Sequence, residues 1–213
     1  MSGLQVNMTK GSILKSLLIF SLPILMSNLF QQLYNTVDSI VVGNFLGSEA
    51  LAAVGSSSSL IMLLISFSMG AAAGAGVIVS QFIGAQNKKG IHESVHTALA
   101  IALILGVVLT AAGLILSPQI LRWMGTPEEV MPQSITYLRL YFAGVIFSIL
   151  YNMASGILNA VGNSKRALLY LAIASFTNII LDLLFIPVLK MGIAGAAIAT
   201  DISQLLSAVL CML

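Results

Sequence analysis

Asn178 and Asp182 stand four residues apart in the stretch Thr177 to Phe185, TNIILDLLF, which stacks an amide and a carboxylate on one face of a helix. Together they offer oxygen ligands and a titratable proton to a single guest, the chemistry of a small hard cation or of proton exchange. Their surroundings are apolar enough for lipid, where an aspartate near the bilayer centre costs about 2.5 to 3.5 kcal/mol even on the lenient insertion scale. Something must offset that cost.

Asp38, Thr200 and Asp201 are the groups that can meet it. At about 1.5 Å of rise per residue, Asp38 and Asp182 each lie about 10 Å below the outer ends of their helices, and Thr200 and Asp201 about 13 Å below. Arg139 is the only basic residue near that depth. Three carboxylates in one layer must therefore be protonated or neutralised by a bound cation, and Asn178 and Thr200 add the neutral oxygens that sodium would use beside them. A plainer reading leaves Asp182 hydrogen-bonded to a neighbouring helix and Asp38 wet near the outer surface.

The elements that must position these side chains are membrane helices. Of 213 residues, 58% are hydrophobic and 8% charged, and the mean hydropathy is +1.03; too little polar surface is left to coat a water-soluble globule. The nine Lys and Arg residues are scattered in ones and twos, which excludes a nucleic-acid face. The single cysteine, Cys211, excludes an intrachain disulfide and a cysteine-based metal cage. The expected fold is an all-α membrane protein with six transmembrane helices, spanning approximately residues 12–45, 48–83, 91–116, 133–160, 167–189 and 192–213. Residues 1–11 form a short polar segment ahead of a retained first span, since no small-residue cleavage pattern closes a short apolar core.

Several local features modulate the spans. Pro23 bends the first helix, as a static kink or a moving hinge. Gly70, Gly74 and Gly76 give the small-xxx-small spacing that lets helices approach. Ser56 to Ser59 either line a wet cavity or hydrogen-bond back to their own helix. Ser117 and Pro118 are expected to end the third span, leaving 119–132 as the longest polar connection. With a cytoplasmic amino terminus, Lys10, Lys15, Lys88, Lys89, Lys165 and Arg166 fall inside and only Arg122, Arg139 and Lys190 outside. The positive-inside rule then places both termini in the cytoplasm, with an even number of spans. Asn35 and Asp38 precede Leu46-Gly47 much as Asn178 and Asp182 precede Met191-Gly192, a short echo of the repeats from which transporters are built.

The block Leu22 to Gly55, LPILMSNLFQQLYNTVDSIVVGNFLGSEALAAVG, together with LNAVGNSKRALLY, TNIILDLLF and GIAGAAIAT, closely resembles the amino-terminal lobe of the multidrug and toxic compound extrusion (MATE) family. The resemblance implies one six-helix lobe, residues 12–213, of a two-lobe transporter that exports cationic drugs or toxic organic cations across the plasma membrane in exchange for protons or sodium. It implies that Asp38, Asn178, Asp182 and Thr200 form a cation or proton site. Pro23 matches the proline proposed as the bending point of the family's first helix, and Tyr34, Tyr137 and Asn152 sit near cavity-lining positions. No cofactor, catalytic group or resident metal is implied, only the coupling proton or sodium ion. The implied partners are an organic cation, the bilayer and a second six-helix lobe, either in the same chain or as a second copy. Asp201 departs from the family pattern, which has an apolar residue there; facing inward it would join the cavity lining and alter the ion stoichiometry.

Two rival readings use other residues. His92-Glu93-Ser94-Val95-His96 fits H-E-x-x-H, the pattern of a zinc metalloprotease. Its third ligand would have to be Asp182, roughly 20 Å away by helical rise. A lipid-linked oligosaccharide flippase of related fold would need a basic cavity for pyrophosphate, whereas the layer here is acidic. Glu49, Glu128 and Glu129 are read as a solvated outer rim.

Overall fold

A computed structural model describes residues 13–213, so the polar segment 1–11 lies outside the described residues. Six helices follow one another: α1 Ile13–Leu46, α2 Ser48–Gly84, α3 Lys88–Trp123, α4 Met131–Ala160, α5 Ser164–Leu183 and α6 Ile193–Met212. A π-helical turn, Leu184–Val188, continues α5 and contains Pro187. All backbone pairing among the described residues is therefore internal to helices and short turns, as a lipid solvent requires.

Five of the helices are long and apolar enough to cross a membrane: α2, α3, α4, α5 with its π turn, and α6. Along α1, Ser27, Asn28, Gln31, Gln32, Asn35, Thr36, Asp38 and Ser39 interrupt the apolar residues. The outer surface of the helix is nonetheless largely apolar, with Leu22, Leu25, Leu29, Leu33 and Ile40 exposed. The helix runs unbroken across Pro23, where Ser27 Oγ donates to the Pro23 carbonyl at 2.9 Å.

The hub is α4, packed against α2, α3 and α6, while α1 leans on α5 and α5 on α6. Small residues set these approaches. A Cβ added at Gly113 or Gly106 of α3 would run into Phe142 or Ile146 of α4, and one at Gly156 of α4 would lie 2.9 Å from the Ala72 carbonyl of α2. Of the expected glycine seam, Gly76 meets Gly156, but Gly70 and Gly74 meet nothing within 4 Å. The seam in use is Ala72 with Gly76, which sits on a different helical phase from Gly70 and Gly74.

The end of the third span differs from expectation. Far from stopping at Ser117 and Pro118, α3 continues to Trp123, and only residues 124–130 connect it to α4. Proline removes one donor from the ladder and so leaves the Leu114 carbonyl without its i+4 partner, an interruption that membrane helices tolerate through local adjustment; beside it, Ser117 Oγ donates to the Gly113 carbonyl. Ser56, Ser57 and Ser58 likewise donate to Ala52, Ala53 and Val54 carbonyls, so back-bonding accounts for them. The echo between the two ends of the chain extends to backbone geometry: Gly47 (φ 87, ψ −175) and Gly192 (φ 61, ψ −146) open α2 and α6. Both conformations are open only to glycine.

Gly113→Ala is expected to destabilise the chain by about 1 to 3 kcal/mol through overpacking against Phe142. Gly74→Ala is expected to be neutral or to stabilise by up to about 1 kcal/mol through helix propensity. Thermal unfolding in detergent, followed by circular dichroism, ranks the two.

Candidate ion site

Each contributing helix delivers its polar groups at helical spacing. Tyr34 and Asp38 share a face of α1, Asn178 and Asp182 a face of α5, Tyr137 and Tyr141 a face of α4, and α6 brings Thr200. Because α1 packs along α5, and α6 along both α4 and α5, these faces converge. Asn178 and Asp182 are fully buried, Thr200 is 5% exposed and Asp38 7%. Asp38 is therefore enclosed rather than wet.

The carboxyls of Asp38 and Asp182 lie close enough to act on each other directly, and the Tyr34 side chain lies beside Thr200. Tyr137 and Tyr141 complete the surround, close enough to interact electrostatically with Tyr34. No protein donor reaches Asp38 Oδ1 or either Asp182 carboxyl oxygen, and the Asn178 amide is unpartnered at both ends. Oxygen faces oxygen, and that contact becomes a hydrogen bond only when one carboxyl is protonated. Two bare charges 4 Å apart repel by about 4 kcal/mol at an effective dielectric constant of 20. The arrangement can thus hold one shared proton or a small cation, whose oxygen ligands would come from Asp38, Asn178, Asp182 and Thr200. Among the described residues, no Lys, Arg or His forms an ion pair with either carboxylate; the salt bridge present, Lys89 to Glu93 at 3.7 Å, is solvent-exposed.

The layer of three carboxylates resolves into a pair and a separate group. Asp201 is half-buried, and its carboxyl fills the notch left by Gly144 of α4, where any Cβ would overlap it. It lies beside Tyr141. Asn152 is also apart from the pair, its Nδ2 donating to the Ser148 carbonyl at 2.8 Å, about 16 Å along α4 from Tyr141 by helical rise. In the echo, Asn35 is exposed while Asn178 is buried, so Tyr34, not Asn35, is the neighbour of Asp38.

A small cavity adjoins the pair, lined by Tyr34, Ser175, Asn178, Ser203, Gln204 and Ser207 among others, with room for about one water molecule. Tyr141, Ser175, Ser203 and Ser207 are the polar residues that reading for charge passes over. Their signal lies in spacing: Ser175, Asn178 and Asp182, like Thr200, Ser203 and Ser207, follow one another at three and four residues, a continuous polar stripe on a helix.

The likeness to known proteins is extensive. A family model described as MatE matches residues 23–184. The chain is 39% identical over 196 residues to the probable multidrug resistance protein YpnP of Bacillus subtilis, covering 92% of this chain and 44% of the relative. It is 38% identical over 205 residues to the probable multidrug resistance protein YoeA of the same organism, covering 92% and 43%. Among solved structures, a MOP superfamily transporter from Pyrococcus furiosus superposes with a TM-score of 0.91 at 33% identity, covering 99% of this chain and 46% of that one. The chain therefore spans less than half the length of the relatives it matches.

Asp182→Asn is expected to leave the chain folded and more stable near neutral pH by about 1 kcal/mol, because the amide can donate to the Asp38 carboxylate. The matching rise in Tm is about 2 to 4 °C for a chain of this size. A fall in Tm would show that the two side chains do not meet.

Proposed function

We propose, from the premise that this chain belongs to the MATE family, that it is the amino-terminal lobe of a drug exporter driven by ion exchange at Asp38 and Asp182. The observation that carries the reading is the facing of two buried carboxyls with no protein donor between them. Such a pair has two states, loaded and empty, that differ by several kcal/mol in electrostatic strain. Loading with a proton or sodium draws α1 and α5 together; unloading drives them apart. A helix carrying Pro23 can convert that separation into a bend, which changes the shape of the cavity between this lobe and a second one.

The cargo follows from the same electrostatics. The polar residues buried in the described part of the lobe include Asp38 and Asp182 but no Lys or Arg, so an organic cation is favoured over a pyrophosphate-linked lipid. The Pyrococcus furiosus neighbour is described in terms of a reversed polarity of its binding pocket, and polarity is the property by which such a cavity would select. The second lobe is supplied in the same chain or by a second copy. Placement in the plasma membrane with both termini cytoplasmic rests on the distribution of basic residues.

In proteoliposomes carrying this lobe with its partner lobe, Asp182→Asn is expected to reduce ion-driven export of a fluorescent organic cation to background while leaving binding of that cation within about threefold of the parent, a difference of under 1 kcal/mol. Separate sodium and pH gradients identify the coupling ion. Undiminished export by the variant would remove the acidic pair from the mechanism.

A further inference from the structure

Both histidines of the chain, His92 and His96, lie one helical turn apart near the start of α3, at the opposite end of the bundle from Asp182. Their rings are adjacent, with centroids 4.0 Å apart and planes inclined by 43°, and both side chains are exposed. The backbone beneath them is firmly held. Asn87 caps α3 by accepting from the Gly90 amide at 3.0 Å, and Gly90 lies so close to the Phe82 ring of α2 that no Cβ would fit.

We propose that His92 and His96 chelate one divalent first-row transition ion, of the zinc, nickel or copper type, at the α2–α3 turn. Two imidazoles one turn apart on a helix present their nitrogens to a common point. Imidazole suits these ions and leaves hard cations such as magnesium to oxygen ligands. The site is a chelate and not a hydrolytic centre. Glu93, the residue that would serve as base in a zinc protease, is engaged with Lys89 at 3.7 Å, and Asp182 lies roughly 20 Å away along the bundle by helical rise. Among the described residues, no group of three or more His, Cys, Asp and Glu side chains could hold a metal. Water completes the coordination, so the ion is exchangeable. The site is also independent of the acidic pair, which offers oxygen ligands only.

The test uses the full chain in detergent without an affinity tag. Retention on immobilised nickel with release by imidazole, and calorimetric binding of one equivalent of zinc, are expected. His92→Ala and His96→Ala should each weaken zinc binding by about tenfold or more. Asp182→Asn should bind zinc as the parent does, and magnesium in excess should not compete. Failure of the parent chain to bind zinc, or undiminished binding by His96→Ala, overturns the proposal. Because both side chains are on the surface, circular dichroism of the variants should match the parent, and a His96→Gln variant that keeps the helix but binds no better than His96→Ala separates ligand loss from unfolding.

Discussion

Two carboxyls that face each other where no protein donor can reach them are the constraint around which this bundle is arranged. Burial removes water, the usual remedy for such a contact, and the absence of a buried Lys or Arg among the described residues removes the next one. A shared proton or a small cation would answer it, which is the basis of the proposed ion exchange. Within the buried interior, Ser68, Ser134, Ser175 and Ser203 all donate to carbonyls of their own helices. Their hydroxyls are occupied, and the polar character they lend the interior is that of acceptors.

The packing that brings the pair together is made mostly of absences. Phe142 and Ile146 seat where Gly113 and Gly106 lack side chains, the α4 backbone at Gly156 lies against Ala72, and the Asp201 carboxyl occupies the space over Gly144. In lipid, helices gain little from burying apolar surface against one another, so close backbone approach and dispersion must supply the association. The exposed leucines of α1 reflect the same balance, since outside is as apolar as inside.

Much of this was legible from residue types. Asp182 and Asn178 stand out because an aspartate in an apolar run has no cheap explanation, and the depth count brought Asp38 to the same layer. The direction of Asp201 was not legible: adjacent positions on a helix differ by about 100°, and only the notch at Gly144 decides which way α6 is turned. Tyr141 escaped because an aromatic residue at helical spacing reads as core packing. A serine followed by proline usually marks a helix end, whereas here α3 carries Pro118 inside it and runs on to Trp123. Gly70 and Gly74 match the small-residue motif as well as Gly76 does, and the phase that selects among them is a property of the assembled bundle.

The π turn beyond Asp182 sets the two ends of the lobe apart. Gly47 follows Asp38 by nine residues and Gly192 follows Asp182 by ten, while both glycines adopt the same side-chain-intolerant backbone. A π turn accommodates one residue more than an α turn. The path from Asp38 to Gly47 is helical throughout, whereas the path from Asp182 to Gly192 passes through the widened turn at Leu184–Val188 and then Lys190 at positive φ, so the two ends reach like glycine corners by different backbone routes.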